Sequence, residues 1–299
     1  MKHTLKITLL LVLIFFVAQV IGLSVTNEYI DHKATEISGN VTFEALPYNL
    51  ERPEIEESSS YIYLLVAIIV GTLLLLLIIR FKKIGLWKLW FFLAVFFTMA
   101  IAFSAFIPQA VAAILALILA IMKIYRPTTI INNSTEIFIY GGLAAIFVPV
   151  INIFAAFMLL ILISIYDIIA VRYTKHMVKL AEFQAKSNVF AGLFIPYGTG
   201  KGKIMPKQKG TIKKRGIGTI AVLGGGDIGF PLLFAGVVMK GLMLSNPEII
   251  GFLKALIIPV FVSLALLYLL ISAKKDKFYP AMPYLTVGCI VGYFVVLLF

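Results

Sequence analysis

The chain has 299 residues, 61% of them hydrophobic and only 13% charged, with a formal net charge of +12. A soluble domain of this length is far more polar, so the composition excludes one and points to an all-α polytopic membrane protein. A lone cysteine, Cys289, excludes an internal disulfide and a cysteine-based metal cluster, and the scattered His3, His32 and His176 offer no zinc site.

The first apolar run, residues 5–23, follows the basic start Met1-Lys2-His3. It is longer than the core of a signal peptide, and Ala18-Gln19-Val20 is a poor cleavage site, so an uncleaved first helix is expected. Residues 25–60 carry eight acids against two strong bases, Lys33 and Arg52. The next span, 61–79, ends in Arg80-Phe81-Lys82-Lys83. Residues 89–122 and 137–166 contain no charge over 34 and 30 residues. A 34-residue helix would be roughly 50 Å long, against a bilayer core of about 30 Å. Each run therefore reads as two helices, divided at Pro108-Gln109 and near Pro149 to Asn152. Further spans are expected at about 217–240, 250–271 and 280–299, which makes about nine.

Segment 172–215 holds eleven Lys and Arg against one acid, Glu182. The positive-inside rule puts it in the cytoplasm, with the N-terminus on the same side and the acidic segment 25–60 and the C-terminus outside. The expected organisation is residues 1–171 with six spans, a basic connection over 172–215, and residues 216–299 with three spans.

Of the fourteen acids, eight lie in 25–60, and Glu136, Glu182, Glu248 and Asp276 are expected at helix ends or in connections. Asp167 and Asp227 remain, inside apolar spans. An ionised carboxylate there costs about 2.5–3.5 kcal/mol even by low estimates, so such residues are functional candidates. Asp167, five residues before Arg172, could also snorkel to water from a helix end. The two positions are better judged together. Asp167 lies twelve residues before Lys179 and Asp227 twelve after Arg215. Their spans are consecutive and antiparallel, so both carboxylates sit at similar depth, at most ~18 Å from the basic side. They can meet, and no other acid is expected to join them. Two carboxyls in one site share a proton, the arrangement of aspartic proteases. Gly224, Gly225 and Gly226 before Asp227 would loosen the helix and admit another backbone or water.

These residues resemble the presenilin and signal-peptide-peptidase family of intramembrane aspartic proteases. Tyr166-Asp167 matches its Tyr-Asp pair, and Gly224-Gly225-Gly226-Asp227 matches its Gly-x-Gly-Asp. Pro280-Ala281-Met282 stands where its Pro-Ala-Leu element is expected, with Met for Leu. The resemblance implies catalysis by Asp167 and Asp227, supported by Tyr166, Gly224, Gly226, Pro280, Ala281 and Met282, the last three shaping substrate access. It implies transmembrane helical substrates in a multi-pass protein of a plasma or internal membrane, with no cofactor and no metal. The orientation is presenilin-like; accessory subunits and a homo-oligomer both stay open. The apolar patch 189–196 is a candidate for an interface or for substrate docking.

Other motifs carry less. Gly216 to Ala221 fits a dinucleotide fingerprint but lacks a βαβ setting, and "GTGKGK" at 198–203 is no Walker loop. The basic run 201–215 has no interleaved aromatics, so no nucleic acid is expected. Asn40-Val41-Thr42 and Asn132-Asn133-Ser134-Thr135 are sequon-like, a pattern common by chance. The alternatives to a protease are a proton- or sodium-coupled transporter using the same aspartates, and a prepilin-type peptidase, which also uses Gly-x-Gly-Asp.

Overall fold

A computed structural model of the chain describes residues 5–81, 83–173, 183–184, 189–197, 219–273 and 279–299. Eleven helices and two strands follow in order. They are α1 (Leu5–Glu28), α2 (His32–Ser38), α3 (Ser60–Arg80), α4 (Ile84–Ser104), α5 (Gln109–Tyr125), α6 (Thr129–Phe147) and α7 (Ile153–Ile168), then β1 (Gly192–Tyr197), β2 (Thr219–Gly224), α8 (Gly225–Leu242), α9 (Glu248–Ala255), α10 (Ile257–Ser272) and α11 (Met282–Val296). Among the described residues, seven helical stretches are long and apolar enough to cross a membrane; α5 and α11 are shorter apolar helices.

The long uncharged runs divide where the chain cannot stay helical. Pro108 is extended and precedes α5. A 3-10 turn over Val148–Val150, containing Pro149, ends α6. Asn152 then starts α7, its side chain accepting the Ala155 amide at 2.8 Å; such a cap satisfies an otherwise orphaned helix donor. At this end of the bundle Lys240 donates to the Pro149 and Ile151 carbonyls at 3.0 and 3.2 Å and to Glu57 at 3.0 Å. It ties the end of α8 to the α6–α7 turn and to the acidic segment.

Helix α8 sits among α1, α6, α7 and α11, while α6 also packs on α1 and α4. Without water to drive helix association inside a bilayer, close approach and buried polar contacts do the work. Gly142 of α6 is the tightest case: a Cβ there would collide with the Thr98 carbonyl oxygen of α4. Gly142→Ala is expected to force α4 and α6 apart and to cost about 1–3 kcal/mol, the usual range for overpacking. Thermal unfolding in detergent checks this; an unchanged midpoint would refute the close packing.

Three expectations need correction. The described chain is not all-α: β1 and β2 form an antiparallel pair, Gly192 opposite Gly224 through Tyr197 opposite Thr219. The span expected to begin near 217 therefore starts as a strand over 219–224 and becomes helical only at Gly225. A short apolar run is ambiguous between helix and strand by periodicity, and β-branched Thr219, Ile220 and Val222 favour the strand once β1 supplies its ladder. The apolar patch 189–196 contains that partner strand rather than a free surface, and Val189 is buried. Glu136, expected at a helix end or in a connection, lies two turns inside α6, 1% exposed. Glu248 does begin a helix; Glu182 and Asp276, like most of the basic segment 172–215, lie outside the described residues.

Candidate active site

Asp167 is buried near the end of α7, where the helix widens into a π turn over Ile169–Tyr173. Its Oδ2 accepts the Met282 amide at 3.1 Å, and the Ala281 amide also donates to the carboxylate. These are leading amides of α11, groups that have no partner within their own helix and present positive charge. Pro280, Ala281 and Met282 are all buried, so the element that starts α11 holds Asp167 through its backbone. One turn away, the hydroxyls of Ser164 and Thr286 lie 2.7 Å apart and lock α7 to α11.

Asp227 is the third residue of α8. The Gly224 amide donates to its carboxylate, and a Cβ on Gly224 would lie 3.3 Å from its Oδ2. Asp227 lies within electrostatic reach of Asp167. Two carboxyls in a poorly hydrated site repel when both are ionised, and such a pair can share one proton.

The glycines serve a geometry that differs from a loosened helix. Gly224 is extended (φ −67°, ψ 153°) and caps α8, so the chain switches from strand to helix immediately before Asp227. A side chain on Gly225 would strike the Tyr140 hydroxyl. Gly226 is exposed, and with Gly225 and Gly229 it lines an apolar cavity of about 380 Å³ together with Tyr140 and Phe230. Tyr166 is half-buried and its hydroxyl reaches Thr72 of α3 at 3.4 Å, linking α7 to α3.

The hairpin is held from one side. Asn132 donates to the Gly192 carbonyl at 2.8 Å, and Asn133 both donates to the Phe194 carbonyl at 2.9 Å and accepts its amide at 3.1 Å. Gly192 and Phe194 thus turn their backbone groups to α6, and Pro196, two residues on, has no amide to satisfy. Because an antiparallel strand alternates its direction of pairing, Leu193 and Ile195 face β2. The outer edge of β1 is covered by α6. Both asparagines are buried, at 3% and 9% exposure, so the sequon-like run is internal packing.

Sequence reasoning missed a second polar cluster. Lys123 and Glu136 form an ion pair at 2.7 Å, and Tyr140 donates to the other Glu136 oxygen. The available signal was Asn132-Asn133-Ser134-Thr135-Glu136, a polar run placed on an apolar helix. Among the described residues no group of three metal-ligating side chains occurs.

A family model described as signal-peptide peptidase, presenilin aspartyl protease matches residues 9–299. Two solved structures of a presenilin-family intramembrane aspartate protease, in space groups C222 and P2, share the fold, with TM-scores of 0.61 and 0.60. Each is 18% identical to this chain and matches 97% of it, covering 98% and 97% of the solved chains respectively. Comparison with curated proteins finds no match.

Proposed function

Because the chain belongs to the signal-peptide peptidase and presenilin aspartyl protease family, and is thus a multi-pass membrane aspartic protease, we propose that Asp167 and Asp227 are its catalytic pair. The substrate bond lies within a transmembrane segment. What supports this reading is that two carboxylates, each beside backbone amides, stand at the end of α7 and the start of α8 within electrostatic reach of one another.

The chemistry follows from one shared proton. The ionised carboxylate takes a proton from water as the water oxygen bonds to the peptide carbonyl carbon. The protonated carboxyl donates to the carbonyl oxygen. As the C–N bond breaks, the leaving amine receives the proton taken from water, and one hydroxyl of the diol returns its proton to the second carboxylate, so the pair again holds one proton. No covalent enzyme intermediate forms.

Helical peptide bonds are shielded by their own hydrogen bonds, so a substrate must unwind locally. Among the described residues β2 pairs with β1 alone; its other edge runs directly into Gly224 and Asp227 and offers an extended segment a strand partner. The neighbouring apolar cavity suits the side chains of a membrane segment. Pro280-Ala281-Met282 bounds the pair from the α11 side and restricts how a substrate approaches Asp167. We read α5 and α11 as crossings alongside the seven longer stretches, giving nine. The N-terminus and basic segment 172–215 are then cytoplasmic, and segment 25–60 and the C-terminus lie outside.

The test is hydrolysis of a single-span helical peptide by purified protein across pH. A pair holding one proton requires kcat/KM to rise and then fall with pH, with two limbs. A single limb would leave only one working carboxyl. Ion flux in liposomes without any cleavage would replace the protease with a transporter.

A further inference from the structure

A connected set of buried polar groups runs from the hairpin to the Asp227 turn. Asn132, whose amide holds the Gly192 carbonyl, accepts from Lys123 Nζ at 2.9 Å. Lys123 also donates to Thr135 at 3.0 Å and to Glu136 at 2.7 Å. The second Glu136 oxygen accepts the Tyr140 hydroxyl. Tyr140 lies against Gly225 and Gly229, within electrostatic reach of Asp227.

Burying a Lys–Glu pair gains little stability by itself, and a well-packed apolar pair often does as well. A purely structural role therefore leaves the cluster unexplained. Its arrangement has a direction: Lys123 fixes one Glu136 oxygen, which leaves the other to hold the Tyr140 hydroxyl against the backbone two residues before Asp227. Gly225 is the residue that admits this contact.

We propose that Glu136 is a positioning residue for Asp227, acting through the Tyr140 hydroxyl, with Lys123 neutralising and orienting it. This rests on the proteolytic reading of the aspartate pair. Glu136 stands in the wall of the same apolar cavity but is itself 1% exposed; its proposed effect is on the placement of the Asp227 carboxyl, so it enters kcat more than KM.

Two double variants separate positioning from stability. Lys123→Met with Glu136→Gln removes both charges but keeps an acceptor for Tyr140. Lys123→Met with Glu136→Met removes the acceptor as well. The second is expected to unfold at a somewhat lower temperature, because the buried Tyr140 hydroxyl loses its acceptor; assayed where both are fully folded, its kcat should be about 10-fold or more lower, a loss typical of slight misplacement, with KM little changed. Tyr140→Phe is expected to match the second. Equal kcat in the two doubles, or wild-type kcat in Tyr140→Phe, would overturn the proposal.

Asp227→Ala sets the zero of this assay. Wild-type protein no faster than that zero would mean failure of the proteolytic reading, and the contact is then decided by stability alone. Gly225→Ala places a Cβ on the Tyr140 hydroxyl and should lower the midpoint. Adding Tyr140→Phe, whose nearest ring carbon would lie 3.2 Å away, should recover part of that loss. No recovery would overturn the contact itself.

Discussion

Asp167→Ala and Asp227→Ala are each expected to abolish peptide-bond hydrolysis, by about 10⁴-fold or more, while leaving a folded protein. Each removes half of a pair that works as a unit, and single losses in such units cost nearly as much as losing the whole. The two variants should differ in stability. Asp167→Ala strands the Ala281 and Met282 amides in a buried site, where an unsatisfied donor costs about 1–3 kcal/mol. Asp227→Ala strands only the Gly224 amide, and both variants relieve the same repulsion between carboxyls. Asp167→Ala should therefore unfold at the lower temperature, and Asp167→Asn, which keeps an acceptor oxygen, should recover most of the difference. Initial rates and thermal midpoints measured on the same preparations check both halves. Full activity in either alanine variant would remove that residue from the pair.

Lys123→Met should give the largest loss of stability of any single change at this end of the bundle. Its ammonium donates to Asn132, Thr135 and Glu136, and both members of the ion pair are about 1–2% exposed. Removing one partner of a buried pair costs about 3–5 kcal/mol because the other charge stays behind. The loss should spread to the hairpin, since Asn132 holds Gly192. Denaturant unfolding measures the total, and hydrogen exchange at β1 and β2 measures the spread. A variant as stable as wild type would show that Glu136 finds another partner.

The parts of this architecture that were legible in the sequence are those set by local chemistry. Uncharged runs too long for one crossing had to break, and Pro108 and Pro149 marked the places. Asp167 and Asp227 stood out because a carboxylate in an apolar span is costly, and the matching Tyr166, Gly224 and Pro280-Ala281-Met282 surrounded them. The missed parts depend on what lies across space. Residues 219–224 are as apolar as a helix, and only a partner over 192–197 makes them a strand. The place of Glu136 inside α6 follows from that helix starting at Thr129. Its pairing with Lys123, thirteen residues earlier on a neighbouring helix, has no linear signature. Nor does the reason for Gly225, which is a tyrosine hydroxyl eighty-five residues before it.

The central claim is that Asp227, at the head of α8, is one of two carboxyls that hydrolyse a peptide bond inside a membrane helix. Its most direct test is mass spectrometry of products from a single-span helical substrate, incubated with purified wild-type protein and with Asp227→Ala side by side. The account predicts fragments cut within the apolar stretch, from the wild type alone. The same fragments from Asp227→Ala would contradict it.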